Sequence, residues 1–325
     1  MSGDNRFPSL ISLADKGSLR PDEPIDNPGV AMFLNNVETE LKPSIDVAPD
    51  RGGVTISYSD WTNTVYKPGG YCSVKWGQGS PYNMYCPYLS DSTHAVTGCV
   101  ATAVAQLMSV YKHPQSYEDV TFDWDRMTYY PQLYASDMST YAGEKVAELM
   151  ELLGRSENLN MTYGKQSGAD PTNIPRTLAA FGYSQPGNHV SYDTDEIIDE
   201  IRNGHAVLLS GYATKHRHTI LGLQVQVTYH DGHCWLGHGA LKRERTKKYY
   251  EPGTSRPIKT ETETYYYILC NWGWNSLRDV YYLSKSFDTA VGPEYGDDMT
   301  PNPDLEAPGS YNFRYKFTTV TGIRK

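Results

Sequence analysis

Positive charge is in short supply in this chain: 29 Lys and Arg stand against 38 Asp and Glu, for a formal charge of -9. The most basic stretch is the short KRERTKK at Lys242 to Lys248. That balance argues against nucleic acid as a main partner, because such a partner needs a basic face. No apolar run approaches the length of a membrane span, and no charged segment followed by an apolar stretch stands at Met1. The protein is therefore expected either to be cytoplasmic or to have lost a leader. Cysteine is scarce as well: Cys72, Cys86, Cys99, Cys234 and Cys270 are an odd set of five without CxxC spacing. At least one thiol must stay unpaired within the chain, and a chain of this size has no need of a disulfide framework. Internal repeats and low-complexity tracts are missing too.

What is present reads as globular. Of the 325 residues 39% are hydrophobic and 21% are charged, which is neither disordered nor membrane-spanning composition. The 27 tyrosines suit half-solvated antiparallel strands and wet clefts.

Three stretches differ in pattern. Residues 1–52 begin with FPSLISLADKGS, continue through the loop RPDEPIDNP, and carry a helix-like VAMFLNNVETELK before the linker-like SIDVAPDRGG. So small a set cannot form a core, and a domain boundary is placed at Gly52-Gly53. Residues 53–204 are expected to be largely helical. GCVATAVAQLMSVYKHP is the clearest helix, with a wide apolar face formed by Val100, Ala101, Val104, Ala105, Leu107, Met108 and Tyr111. GEKVAELMELLGRS and DEIIDEIRNG follow, the last ending in Gly204 where a helix cap is expected. Residues 205–325 read as strands: AVLLSGY, TILGLQVQVTY, HCWLGHGAL, ETETYYYILCNWGW, DVYYLS and NFRYKFTTVTGI, with HDG and EPGTS as turns. Helices followed by strands predict an α+β fold with a cleft where the halves meet.

A cysteine nucleophile must be a thiolate near neutral pH, and the unsatisfied N-H groups of a helix start favour that form. Among the five thiols only Cys99 stands at such a start, behind Gly98 and ahead of a slim, alanine-rich helix. Position alone leaves a buried core cysteine equally open. Cys72 and Cys86 lie in loop-like sequence, and Cys234 and Cys270 lie within strands, where a small thiol is core. Nine histidines could supply a base, and spacing does not choose among them. His233 stands out because DGHCW sets a turn before a strand that opens with it. His230, His233, Cys234 and His238 also allow a zinc reading, but neighbouring strand positions would point ligands to opposite faces. No metal and no cofactor is expected.

VKWGQGSPYNMYCP, GCVATAVAQLMSVYKHP, DGHCW and NWGW, in that order, resemble the streptopain-like cysteine peptidases, which include an interpain type from Bacteroidales. The resemblance runs on to the closing TVTGIRK. It implies a papain-like two-lobed fold, with lobes of about 53–204 and 205–325, and a secreted cysteine endopeptidase acting on proteins or peptides. By it, Cys99 takes the nucleophile position, His233 the base position and Gln78 the oxyanion-hole glutamine. Asn271 and Trp272 are the residues that orient and shield the histidine ring, and an apolar side chain is favoured two residues before the scissile bond. SGDNRFPSLISLADKG resembles the last part of the family's inhibitory prosegment. The chain is thus expected to be a proenzyme restrained by residues 1–52 and released by cleavage near Pro43 to Gly53, acting outside the cell, at its surface or in the periplasm. Cys234 in place of the family's alanine and LGHGAL in place of an aspartate-glycine stretch are departures. They raise the alternative of a catalytically silent, peptide-binding homologue.

Overall fold

A computed structural model describes residues 54–220, 223–289 and 311–325; the expected prosegment, residues 1–52, lies outside them. Its strands are β1 (Thr55–Tyr58), β2 (Thr62–Tyr66), β3 (Ser116–Tyr117), β4 (Val120–Thr121), β5 (Gln185–Ser191), β6 (Val207–Ile220), β7 (Leu223–Tyr250), β8 (Lys259–Asn271), β9 (Tyr281–Leu283), β10 (Phe287–Asp288), β11 (Asn312–Phe313) and β12 (Tyr315–Arg324). The helices are α1 (Cys99–Tyr111), α2 (Trp124–Met127), α3 (Tyr141–Gly154), α4 (Ile174–Ala180) and α5 (Thr194–Arg202). The chain divides into two compact units. Among the described residues, one joins residues 54–62 with Glu244–Thr264, and the other joins those from Asn63 to Arg243 with those from Tyr265 onwards.

The helices begin where the sequence supplies acceptors for their free N-H groups. Thr140 caps α3 through Gly143 N-H, and Asp193 caps α5 through Glu196 N-H. The start of α1 differs, because Gly98 has no side chain to donate to and enters with φ of 84°. Any Cβ there would stand 2.9 Å from Met161 Sδ and 3.0 Å from the Ser167 carbonyl oxygen, so only glycine fits. From Val100 to Ser109 every residue of α1 is buried. The helix therefore lacks a polar face, and its polar groups bond inward, as when Thr102 Oγ1 donates to the Gly98 carbonyl.

The main sheet is antiparallel where its register is defined, in the order β5-β12-β6-β7-β8-β9, with β1 and β2 pairing on β7. Strand alternation splits its central pair between two cores. Leu208, Cys234 and Leu236 join the cluster built on α1 and α3. Val207, Leu209 and Trp235 join a second cluster with Ile197, Ile198 and Ile201 of α5 and with Trp272. The α+β class agrees with the sequence expectation, while several boundaries do not. QPGNHVS, within the supposedly helical half, forms β5 and pairs with β12. TILGLQVQVTY is not one strand, since β6 ends at Ile220 and β7 begins at Leu223. HDG is not a turn: β7 runs through it, and Asp231 takes φ of 54° within the strand. Pairing of His230 with Thr214 and of Gly232 with Tyr212 on either side holds that strand together.

Two buried polar groups tie the site's supports together. Asn271 donates from Nδ2 to the Val74 carbonyl at 2.8 Å, while its Oδ1 accepts from Gln106 Nε2 at 2.8 Å and from Gly273 N-H at 3.1 Å. It thus links the end of β8 to α1 and to the segment before it. His238 is 5% exposed, and its Nδ1 accepts the Cys72 N-H at 3.2 Å. Because a backbone N-H can only donate, Nδ1 must be unprotonated.

Asn271→Ala should lower stability by about 3 kcal/mol, because the Val74 carbonyl and Gly273 N-H lose buried partners; urea midpoints measure it. Burial pushes the His238 imidazole down to about 4. The unfolded state therefore takes up the proton first, near pH 6.5, and stability falls as pH drops from there towards 4, by up to ~3 kcal/mol from this group. His238→Gln should flatten that part of the pH dependence in urea unfolding between pH 7.5 and 4.5.

Candidate active site

Cys99 opens α1, half-buried, with no side chain capping the helix. The backbone N-H groups of Cys234, Val100 and Cys99 pull its thiol down. The last two are free donors of a helix start, and the first belongs to β7. Burial nonetheless pushes the thiol up, against the downward pull of those three N-H groups. The helix-start N-H groups thus favour the thiolate as expected, but desolvation outweighs them.

His233 follows from the register of β7 on β6, where Gly211 faces His233 and Ser210 faces Cys234. Cys234 thereby joins the cluster that Cys99 packs against, and the preceding residue brings an imidazole to the cavities that Cys99 lines. The ring lies among aromatics, with its centroid 4.8 Å from Trp274, 5.6 Å from Phe313 and 5.8 Å from Trp272. Nε2 is 2.9 Å from the Trp272 carbonyl oxygen. A carbonyl only accepts, so Nε2 carries the proton and Nδ1 is the basic nitrogen of the neutral ring. Burial pushes the imidazole down to about 4, opposed only by the Trp272 carbonyl.

Gln78 is placed by its backbone. Its carbonyl accepts the Thr97 N-H at 3.0 Å, two residues before Cys99. A cavity of about 380 Å³ is lined by Gln78, Val96, Cys99, His233, Trp274 and Phe313, among others. A second, of about 440 Å³, lies against Cys99, His233 and Cys234 and is walled by Thr162, Ser167, Ser210 and other polar residues. The structure therefore brings Cys99, His233 and Gln78 to one place.

Trp272 lies at the His233 ring, 5.8 Å between centroids, while Asn271 is placed differently from the role expected of it. The Asn271 amide is engaged with Val74, Gln106 and Gly273, and the group on the His233 ring is the backbone carbonyl of Trp272. The aromatic ring closest to it is that of Trp274, tilted by 48°, which sequence reasoning passed over although it stands in the same NWGW stretch. Two tryptophans two apart read alike in sequence, and only the loop's path tells which one lies closer to the ring. The residues of the zinc reading do not converge: His230 meets Thr228, and His238 meets Cys72. Among the described residues no group of three or more His, Cys, Asp or Glu is placed to hold a metal ion, and no helix is long and apolar enough to cross a membrane.

The chain is 25% identical over 279 residues to streptopain of Streptococcus pyogenes serotype M1, covering 73% of this chain and 68% of that protein. Against another streptopain of Streptococcus pyogenes it spans about half of the relative's length, 54%. It is 31% identical over 136 residues to the thiol protease/hemagglutinin PrtT of Porphyromonas gingivalis, covering 39% of this chain and 15% of that protein. The fold is shared with active interpain A cysteine protease of Prevotella intermedia, at a TM-score of 0.51 and 22% identity over 79% of this chain and 94% of that one. A profile of the Peptidase C10 family matches residues 76–282, and with Cys99 at a helix start beside that strand and its histidine, the chain belongs to this family as a cysteine-type endopeptidase.

Proposed function

We propose that the protein hydrolyses peptide bonds of protein substrates through a Cys99–His233 dyad and a thioester acyl-enzyme. The observation that carries this reading is that Cys99 and His233 line the same two cavities, one of which Gln78 also lines.

Burial opposes a lone thiolate and a lone imidazolium alike. Transfer of the Cys99 proton to Nδ1 of His233 creates both charges at once, so each supplies the counter-charge that the other needs. The thiolate then attacks the scissile carbonyl carbon. The resulting oxyanion receives hydrogen bonds from the Gln78 side-chain amide and an N-H at the helix start, a contribution of several kcal/mol in a desolvated site. Collapse breaks the C-N bond, and His233 delivers its proton to the leaving amine. Water, deprotonated by His233, then hydrolyses the thioester and restores the thiol. Trp274, packed at a tilt against the imidazole, keeps bulk water from that side of the ring.

Residues 1–52 act as a prosegment in this reading, and the protein works outside the cytoplasm. Both rest on the sequence resemblance. An apolar side chain two residues before the scissile bond finds support in Val100 and Ala169 on the larger cavity wall, beside the hydroxyls of Thr162, Ser167 and Ser210. The silent-homologue alternative was motivated by LGHGAL. Leu236 to Leu241 are buried within β7 and line neither cavity at Cys99.

Cys99→Ala should abolish casein cleavage and covalent labelling by an epoxysuccinyl inhibitor, before and after removal of the segment that ends near Gly53; equal digestion by native and variant chains would sink the assignment. Gln78→Ala should lower kcat by about 10²–10³-fold with little change in KM, measured on a fluorogenic peptide.

A further inference from the structure

Behind the Trp272 carbonyl that holds His233 stands a carboxylate that the dyad reading leaves without a task. Asp279 lies in the connection between β8 and β9, and its Oδ1 accepts the Trp272 N-H at 2.9 Å. One residue therefore has its two backbone polar groups engaged at opposite ends: the N-H by Asp279 and the C=O by Nε2 of His233 at 2.9 Å. The connection is held by further bonds. The Cys270 N-H donates to the Val280 carbonyl at 3.1 Å, and the Tyr282 hydroxyl donates to the Arg278 carbonyl at 2.9 Å. We propose that Asp279 is a positioning residue of the dyad: its carboxylate anchors the backbone of Trp272, whose carbonyl in turn orients the His233 ring, and its negative charge favours the protonated form of that ring. The inference rests on the cysteine-peptidase reading given above.

The chemistry runs through position and charge. The Trp272 N-H and C=O belong to successive peptide groups joined at its Cα, so a charge-assisted hydrogen bond to the N-H fixes the residue and with it the direction of its carbonyl towards Nε2-H. The negative charge of the carboxylate, acting through space in a desolvated site, favours an imidazolium over a neutral imidazole. Burial makes this charge sensitive to pH. It pushes the Asp279 carboxyl up to about 7, while the Trp272 N-H and the Lys75 cation pull it down. The other groups around it are the thiols of Cys72 and Cys270 and the Tyr282 phenol, all pushed up by burial and so neutral near pH 7. Its chain neighbour Arg278 directs its guanidinium to the Thr289 carbonyl. Above about pH 7 Asp279 is then an anion and supports the imidazolium; below it the carboxyl is protonated and that support weakens.

The test compares kcat and KM of native chain and Asp279→Asn on a fluorogenic peptide from pH 5 to pH 9. Asparagine can still accept the Trp272 N-H but carries no charge. At pH 8 kcat should fall about tenfold with KM within about twofold, and the ionisation near pH 7 should vanish from the kcat profile. Native kcat and a native profile in the variant overturn the proposal. So does an equal loss at every pH with the near-neutral ionisation retained, the outcome of a merely structural role. If the variant fails to fold, the native chain decides: alkylation of Cys99 by iodoacetamide must show an ionisation near pH 7, and a profile without one overturns the proposal. A native chain that neither cleaves peptide nor takes the epoxysuccinyl label sinks the peptidase reading itself, which separates the two failures.

Discussion

A carbonyl oxygen can accept a hydrogen bond but never donate one, and the placement of the Trp272 carbonyl against Nε2 of His233 organises the whole site. It puts the ring proton on Nε2, leaves Nδ1 as the basic nitrogen, and sets the plane of the imidazole among Trp272, Trp274 and Phe313. A side-chain amide could do the same, but Asn271 beside it has another duty. Its Oδ1 and Nδ2 join β8 to α1 and to Val74, so it secures the carrier of the carbonyl rather than the ring. Orientation of the base is delegated to backbone, which has no rotamers to lose.

Desolvation is the second constraint. The aromatic cage that positions His233 also withdraws it from water, and the core that positions α1 does the same to Cys99. Each group is thereby biased to its neutral form. The N-H groups of the helix start and of Cys234 offset part of this for sulfur, and the Trp272 carbonyl offsets part for the imidazole. A site built in this way makes its charges in pairs, within a structure whose dipoles are already aimed at them.

The core of α1, the amphipathic α3 and α5 and the strand character of the second half were legible in sequence, because apolar spacing and caps are local properties. β5 was missed because QPGNHVS carries proline and glycine; on the sheet edge beside β12 these are tolerated. The false turn at HDG has a related cause. Asp-Gly is a turn signal in isolation, yet pairing with β6 on both sides overrides it, and the departure is absorbed by a single positive φ at Asp231. LGHGAL, which read as a departure near the base, is strand interior, where His238 accepts a backbone N-H from Cys72.

By itself the sequence determined which residue types could do the chemistry: a thiol at a glycine-led helix start, a histidine in strand sequence, a glutamine in WGQ. Those rest on composition and short-range spacing, which the chain carries wherever it goes. What only the tertiary structure decided is which partner each group meets. The register of β6 on β7 sends Cys234 to the helix and leaves His233 in the aromatic cage. The path of the loop after β8 hands His233 a carbonyl in place of the Asn271 amide and chooses Trp274 over Trp272 as the closest ring. Hydrogen bonds and ring contacts act over a few ångströms in space, and residues more than a hundred positions apart acquire such distances only when the chain has folded.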